Sequence, residues 1–270
     1  MLAGIPERVR GVLRRRRPVE IALDGRRIMV AMRIAVLSDV HANLTALDAV
    51  IADIWTQAPD LVVFGGDLVG MGSRPAEVID RVRDLGWPAI QGNTDEALWN
   101  EAPVEAFFSA LPQLHGVHLM AKRANAWTRD QIGNSRLAWL RALPCAWSDE
   151  RITVVHASPG DAWRSPTRDA SDDEMLAAYR QLGTRTVVYG HIHDSFVRQL
   201  PSLTVVNSGS VSLSFDGDRR AAYAIVDERG AAIRRVEYDV EEEIRALAAR
   251  ECPDAGWLTS TLRAARSQPV

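Results

Sequence analysis

Two short apolar runs decide the fold: residues 33–41 read RIAVLSDVH and residues 60–67 read DLVVFGGD. Each run is a nearly continuous series of aliphatic residues, which predicts a strand buried on both faces, as in a parallel sheet. Between the two runs, Asn43 is placed to cap a helix whose aliphatic residues recur at helical spacing. The order strand, helix, strand indicates an α/β protein.

The rest of the chain continues this alternation and adds helices and hairpins. Further strands are predicted at 88–91, 151–155, 186–189, 195–200, 203–206, 221–226 and 233–238. Residues 94–143 carry aromatic residues at helical spacing, which predicts two to four helices inserted between strands. We expect a domain over residues 32–240, with helices over 241–270 packed on it. Mixed sheets covered by helices, in three or four layers, follow from this order.

Charge is distributed unevenly along the 270 residues, whose net charge is −3. Residues 1–31 contain eight arginines and three acidic residues, a net charge of +5, so the remainder carries −8. We interpret this basic segment as a loosely ordered extension without a role in the chemistry. The acidic body argues against a broad nucleic-acid-binding face.

Composition also limits the location of the chain and the type of metal site. No stretch approaches the roughly 18 apolar residues of a membrane span, and no secretory signal pattern is found, which predicts a cytoplasmic protein. Cys145 and Cys252 lie far apart and match no metal-binding spacing. Any metal site must therefore use nitrogen and oxygen ligands.

Residue types that bind metals follow five successive predicted strands. These residues are Asp39, His41, Asp67, Asn93, His156, His191 and His193. Because α/β folds place their sites at the carboxyl ends of strands, we expect all seven side chains to meet. Carboxylate, amide and imidazole ligands suit divalent Mn, Fe, Ni, Co, Mg or Zn. Seven ligands are too many for one tetrahedral ion but suffice for two ions about 3.5–4 Å apart, as in phosphoryl-transfer sites.

The order of these motifs resembles that of the calcineurin-like metallophosphoesterases. The motifs are Asp-x-His at 39–41, Gly-Asp at 66–67, Gly-Asn-x-Asp at 92–95, His156 and Gly-His-x-His at 190–193. Residues 67–70, 127–130 and 207–210 are similar to the compact, mostly prokaryotic branch of small phosphodiesterases. The resemblance, which extends from about Met32 to Tyr238, implies a four-layer α-β-β-α sandwich of two mixed sheets.

The resemblance also implies a role for each residue. It implies that Asp39, His41 and His193 bind one metal ion, and that Asn93, His156 and His191 bind the other. Asp67 would bridge the two ions, and Asp95 would orient the site. A metal-bridging hydroxide would then attack phosphorus, so the implied activity is phosphodiesterase or phosphatase on a small ester, which could be a nucleotide.

One position departs from the family pattern and affects the expected chemistry. The family usually has histidine where this chain has Thr94, and that histidine is thought to protonate or steer the leaving group. Threonine is no general acid at neutral pH, so substrates with acidic leaving groups should be favoured. His115 or His118 could supply the proton, although packing is an alternative for both. Arg164 could bind a phosphate oxygen or be a solvated loop residue.

Several functional alternatives stay open on the sequence. A diadenosine-polyphosphate hydrolase or protein phosphatase shares the implied metal set, but such relatives carry the histidine that Thr94 replaces. A non-catalytic protein-binding scaffold would be expected to have lost ligands, and none is missing here.

Overall fold

A computed structural model describes the backbone of residues 20–23 and 26–29 and all of residues 32–269. The two short segments form an antiparallel pair, with Glu20 opposite Met29. The rest of the basic extension at 1–31 lies outside the described residues, so its expected loose order stays a prediction. Among the helices described, none is both long enough and apolar enough to cross a membrane.

Strands and helices are numbered in chain order. The strands are β1 Glu20–Leu23, β2 Arg26–Met29, β3 Ile34–Leu37, β4 Leu61–Phe64, β5 Ala146–Ser148, β6 Ile152–Val155, β7 Thr186–Tyr189, β8 Phe196–Gln199, β9 Thr204–Asn207, β10 Ala221–Asp227 and β11 Gly230–Val236. The helices are α1 Leu44–Gln57, α2 Pro75–Leu85, α3 Asn93–Glu96, α4 Glu101–Ser109, α5 His115–Arg141, α6 Asp172–Tyr179, α7 Val240–Ala249 and α8 Ala255–Ala264.

The described strands form two larger sheets, one of four strands and one of five. The first sheet has the order β11-β10-β3-β4, in which β3 and β4 are parallel and β10 runs antiparallel to β3. The second has the order β5-β6-β7-β9-β8, with a parallel centre from β6 to β9 and antiparallel strands at both edges. Both sheets are therefore mixed, as expected.

The predicted strand at 88–91 is reduced to a single parallel bridge between Ala89 and Phe64. The Phe64 amide donates to the Pro88 carbonyl, and the Ile90 amide donates to the Phe64 carbonyl. The ladder ends there because the next amide, that of Gln91, donates to the loop that follows α5. The edge strand β5 was not predicted from the sequence.

Side chains from both sheets and from the helices form four layers. Valines from the two sheets meet in the central layer, namely Val36, Val63, Val154, Val188 and Val206. The other face of the first sheet packs against α1, α2 and α5. The other face of the second sheet packs against Met175 and Tyr179 of α6. The α-β-β-α sandwich is confirmed.

The predicted helical insertion contains three α-helices, α3, α4 and α5, and a short 3-10 helix at Pro112–Leu114. The longest, α5, is interrupted at Gly133, where φ is 67°. Phe108 of α4 and Ala97 pack against Trp163, which lies in the loop after β6. At the other end of the chain, α7 and α8 bury Leu247, Leu258 and Leu262 against Leu213. The boundaries of the three chain segments proposed above stay predictions.

Candidate metal centre

The seven residues selected from the sequence lie together where the two sheets meet. β3 and β4 of the first sheet lead into Asp39, His41 and Asp67, while β6 and β7 of the second lead into His156 and the 191–193 motif. Asn93 is the first residue of α3, just after the bridge that extends the first sheet. All are buried except His191, which is partly buried.

The first group of candidate ligands is Asp39, His41 and His193. Their ligand atoms all lie within 4.8 Å of one another. The Nε2 atoms of His41 and His193 are 3.1 Å apart. The Nε2 atom of His193 is also 3.2 Å from Oδ1 of Asp39. Two imidazoles and one carboxylate thus converge on one point.

The second group is Asn93, His156 and His191. Oδ1 of Asn93 lies 2.9 Å from Nε2 of His156 and 2.9 Å from Nδ1 of His191. Asp67 stands between the groups, with one oxygen 3.4 Å from His156 Nε2 and the other 3.7 Å from His41 Nε2. Asp39 also lies within 4.8 Å of Asp67 and His156. Both carboxylates are therefore placed between the two groups.

The outward nitrogen of each imidazole faces a backbone carbonyl oxygen, which can only accept a hydrogen bond. The distances are 3.2 Å from His41 Nδ1 to Gly70, 3.0 Å from His156 Nδ1 to Gly65, 2.5 Å from His193 Nδ1 to Leu213 and 3.1 Å from His191 Nε2 to Trp163. The outward nitrogen therefore carries the proton, and the inward nitrogen faces the cluster. This arrangement is typical of metal-binding histidines.

The donor set fits cations. With both Nδ1 atoms engaged, the facing Nε2 atoms of His41 and His193 can direct their lone pairs at one cation. Two carboxylates, an amide oxygen and four imidazoles, without thiolate, are the donors that divalent Mn, Fe, Co, Ni or Zn accepts.

Burial and neighbouring charges shift the pKa values in the site. Burial lowers the pKa of His41 and of His191 to about 4, so both rings are neutral near pH 7. Burial alone would lower the pKa of His156, but the charge of Asp67 outweighs it and raises the pKa to about 10. Burial would raise the pKa of Asp67, yet His156 holds it below its usual range. His193 has the same effect on the pKa of the buried carboxyl of Asp39.

Asp95 orders the backbone around the site. Its carboxylate accepts hydrogen bonds from the amides of Leu68 at 3.0 Å, Val69 at 3.1 Å and Gly92 at 3.0 Å. Burial, and then the charge of Asp67, raise the pKa of Asp95 to about 7, although the three amides favour the ionised form. The side chain thus ties the loop after β4 to the start of α3, and the orienting role expected for it stays a prediction.

Two glycines are required by the close approach of carboxylates. A Cβ atom at Gly92 would lie 2.1 Å from Oδ1 of Asp67, and one at Gly190 would lie 2.2 Å from Oδ2 of Asp39. Real Cβ atoms do not approach other atoms this closely, so only glycine fits at either position. The Gly-Asn and Gly-His pairs of the sequence are therefore parts of the site and more than turns.

Comparison with known proteins identifies the family. A sequence model described as the calcineurin-like phosphoesterase superfamily domain matches residues 32–230. The chain belongs to this superfamily. It is accordingly a phosphoesterase, a class of hydrolase that generally depends on two metal ions.

Several proteins resemble this phosphoesterase over most of its length. An uncharacterized protein of Methanocaldococcus jannaschii is 29% identical over 259 residues, which are 87% of this chain and 98% of that protein. A crystal structure of a metallophosphoesterase from Sphaerobacter thermophilus is 28% identical, with a TM-score of 0.69 over 87% of this chain and 99% of that one. A hypothetical protein from Pyrococcus horikoshii, 20% identical, shares the fold with a TM-score of 0.73 over 85% and 97% of the two chains.

A fourth similarity is partial. The symmetrical bis(5'-nucleosyl)-tetraphosphatase of Nitrosococcus oceani is 28% identical over 151 residues, or 54% of this chain. The matched region spans only 51% of that enzyme.

Both the hydroxyl and the amide of Thr94 are engaged in hydrogen bonds within the protein. Its hydroxyl donates to the carbonyl of Val69 at 2.7 Å, and its amide donates to Oδ1 of Asp67 at 2.9 Å. The hydroxyl proton is therefore engaged by a backbone carbonyl. His115 is exposed at the start of α5, and His118 stacks on Phe108 with its ring centroid 4.7 Å away.

The loop after β6 contacts both the site and the helical insertion. Trp163 accepts the hydrogen bond from His191 through its carbonyl, and its buried ring lies 5.5 Å from that of Phe107. Its indole is thus part of the packing rather than a free stacking surface. The exposed guanidinium of Arg164 lies 5.7 Å from the Phe107 ring centroid and 3.5 Å from the Asp161 carboxylate.

Sequence reasoning missed the groups that hold the ligand loops together. Ser210 Oγ donates to the carbonyl of Asp39 at 2.9 Å, and Asn207 Nδ2 donates to that of Gly190 at 2.6 Å. Both residues belong to the Asn-Ser-Gly-Ser stretch at 207–210, so a family motif was the available signal. The backbone carbonyls that orient the histidines have no sequence signal of their own.

Proposed function

We propose that the chain is a two-metal phosphodiesterase or phosphatase for a small phosphate ester, with the seven residues named above as ligands. The observation that supports this most is the convergence of two ligand groups with the Asp67 carboxylate between them. Asp39, His41 and His193 would hold one ion, and Asn93, His156 and His191 the other. Two divalent ions held there would supply Lewis-acid activation of water and neutralise charge that develops on phosphate oxygens.

The protein groups around the ions have separate tasks in this proposal. The four carbonyl contacts keep each imidazole in the tautomer that can bind an ion. Asp95 fixes the loop that carries Asp67, so the carboxylate does not have to reorganise during the reaction. Arg164, on the same loop as Trp163, would provide a fixed cation for a non-bridging phosphate oxygen.

The engaged hydroxyl of Thr94 restricts the leaving group. Since Thr94 offers no proton at this position, leaving groups that depart as stable anions are favoured. Aryl oxides and the terminal phosphate of an anhydride meet this condition, whereas simple alkoxides do not. The site therefore favours activated diesters and nucleotide anhydrides over alkyl monoesters.

A dinucleoside polyphosphate is the second candidate substrate, because 151 residues of the chain are 28% identical to the symmetrical bis(5'-nucleosyl)-tetraphosphatase of Nitrosococcus oceani. Its nucleoside diphosphate leaving group would need no proton donor. Comparing the rates for diadenosine tetraphosphate and for an activated diester would separate the two candidates. A kcat/KM at least about 100-fold higher for the tetraphosphate, a difference of about 2.7 kcal/mol, would favour the second.

The test of the proposal is hydrolysis of an aryl phosphodiester by purified protein supplied with Mn²⁺. Asp67→Ala and His191→Ala should abolish turnover while urea unfolding stays cooperative. Asp173→Ala, a change at an exposed carboxylate of α6, serves as the control and should leave turnover unchanged. Activity that survives both ligand substitutions would refute the proposed site.

A further inference from the structure

A buried carboxylate contacts the segment that follows the loop of Asp67, but it lies outside the family match, which ends at residue 230. Glu243 of α7 is only 1% exposed. It accepts hydrogen bonds from the Ser73 amide at 3.2 Å and from Nη2 of Arg74 at 3.0 Å. The hydroxyl of Thr45 in α1 is 3.5 Å from the same carboxylate. A buried charge with several partners is costly to disturb, because removing it leaves those partners unpaired.

The backbone that Glu243 holds surrounds the candidate ligand His41. The carbonyl of Gly70 receives the hydrogen bond from His41 Nδ1 at 3.2 Å. Two residues on, a Cβ atom at Gly72 would lie 1.8 Å from the His41 carbonyl oxygen, so the two backbones are in contact. The Arg74 amide donates to the Ala42 carbonyl at 2.9 Å. Segment 70–74 therefore fixes both the ring and the backbone of this ligand.

The C-terminal helices also cover this segment with apolar side chains. Met71 has a left-handed backbone, with φ of 58°, and packs among Leu247 of α7 and Leu258 of α8. The thiol of Cys252, between the two helices, lies 3.9 Å from the Gly72 carbonyl. The segment has a conformation that an isolated loop would not keep, and the helices stabilise it.

We propose that Glu243 is a positioning residue that sets the orientation of His41 and thereby the affinity of one metal site. The inference rests on the proposed function, because it requires His41 to bind metal. Through the Ser73 amide and Arg74, the carboxylate holds the carbonyl of Gly70 against Nδ1 of the imidazole. The C-terminal helices are in this way part of the support of the metal centre.

Loss of the carboxylate would act through the ring of His41. In Glu243→Ala, the buried Ser73 amide loses its acceptor, and the Arg74 guanidinium loses its buried carboxylate, although it keeps the hydroxyls of Ser73 and Thr45. We expect segment 70–74 then to relax away from the imidazole. The ring can then rotate, and its tautomer is no longer fixed. Changes to groups that orient a metal ligand weaken metal binding by about 10–100-fold. We expect a loss of this size for one of the two ions.

The experiment measures Mn²⁺ binding directly, by calorimetry or by the electron paramagnetic resonance signal of free Mn²⁺. Wild type, Glu243→Ala, Glu243→Gln and Glu241→Ala are compared, each after its urea unfolding curve has been recorded. Glutamine keeps an acceptor for the Ser73 amide but loses the charge that pairs with Arg74. Glu241 lies in the same helix and forms an ion pair with Arg263 of α8 at 2.6 Å, without contacting segment 70–74. It is therefore the matched control for the docking of α7.

We expect Mn²⁺ to bind one site at least about tenfold more weakly in Glu243→Ala, with a smaller loss in Glu243→Gln and no change in Glu241→Ala. Turnover should recover at saturating Mn²⁺, with an unchanged KM for substrate. Wild-type Mn²⁺ affinity in folded Glu243→Ala would overturn the inference. If that variant does not fold, wild-type affinity in Glu243→Gln would overturn it instead. Wild-type protein that binds no Mn²⁺ would refute the proposed function itself.

Discussion

The substitution Gly92→Ala tests whether the candidate metal centre depends on the contact between two loops. Gly92 has a φ of −108°, which alanine adopts without strain, so the substitution adds only one methyl group. That methyl would lie 2.1 Å from Oδ1 of Asp67 and 2.3 Å from its amide nitrogen. Since ordinary contact begins at 3.4 Å, the loops must separate by about 1.3 Å.

A displacement of this size exceeds what a metal site tolerates. Ligand distances in working sites vary by only about 0.2 Å, and misplacing a reacting group by 1 Å can cost about 100-fold in rate. Movement of Asp67 also breaks its hydrogen bond from the Thr94 amide. We therefore expect a loss of at least about 100-fold in kcat/KM. Overpacking should lower the free energy of unfolding by about 1–3 kcal/mol.

The assay is hydrolysis of an aryl phosphodiester with Mn²⁺, together with urea unfolding and a measurement of bound metal. Gly256→Ala is the matched control, because a Cβ atom there meets nothing within 4 Å and the residue lies in α8. It should keep full activity and gain up to about 1 kcal/mol from the better helix propensity of alanine. Gly92→Ala protein with wild-type turnover and metal content would show that the close approach is not needed.

Four further changes test other parts of the account. Thr94→His should raise the turnover of alkyl monoesters by about tenfold or more, measured as kcat/KM, if a missing proton donor limits them. Protein beginning at Met32 should keep its activity, since the basic segment 1–31 has no part in the proposed chemistry. Chelation by EDTA should abolish hydrolysis, and added Mn²⁺ should restore it. Burial raises the pKa of Asp216, but Arg235 outweighs burial and holds it at about 2. Because this folded pKa is below the ordinary value of 3.8, the ionised group stabilises the protein above pH 4, and the stabilisation is lost as the pH falls through 2. Urea unfolding of Asp216→Asn should accordingly approach that of wild type as the pH is lowered from 5 to 3, and a constant difference would contradict this.

The strands that lead into the site could be predicted because their signal is local. β3, β4, β6 and β7 are short runs of aliphatic residues that the sandwich buries on both faces, and such runs need no knowledge of their neighbours. Asn43 was expected to cap the first helix, and its side chain accepts the Ala46 amide at 2.9 Å. Residues at the ends of these strands then converge for a topological reason, because parallel strands end at the same edge.

Other features could not be predicted because they depend on distant partners. The strand expected at 88–91 ends after one bridge because Gln91 pairs with the loop after α5, more than fifty residues later. The edge strand β5 is only three residues long, and its pairing with β6 defines it. The hydroxyl of Thr94 turns to the Val69 carbonyl, a direction that the residue type does not specify. Each of these is settled by tertiary contacts.

Backbone strain in the centre shows how its loops support one another. Five of the seven candidate ligands have a left-handed backbone, namely Asp39, His41, Asp67, His191 and His193, with φ between 46° and 65°. Such residues cost about 1–3 kcal/mol each and persist only where their surroundings fix them. Here the loops fix each other, since the amide of Asp39 donates to Gly66, that of His41 donates to Asp67, and that of His191 donates to the Asp39 carboxylate. Because these strained loops are hydrogen-bonded to one another, the position of each candidate ligand depends on the other loops as well as on its own. A change in one loop must then disturb ligands on the others, which is why a single methyl group at Gly92 or the loss of one carboxylate at Glu243 is expected to act on metal binding without removing a ligand.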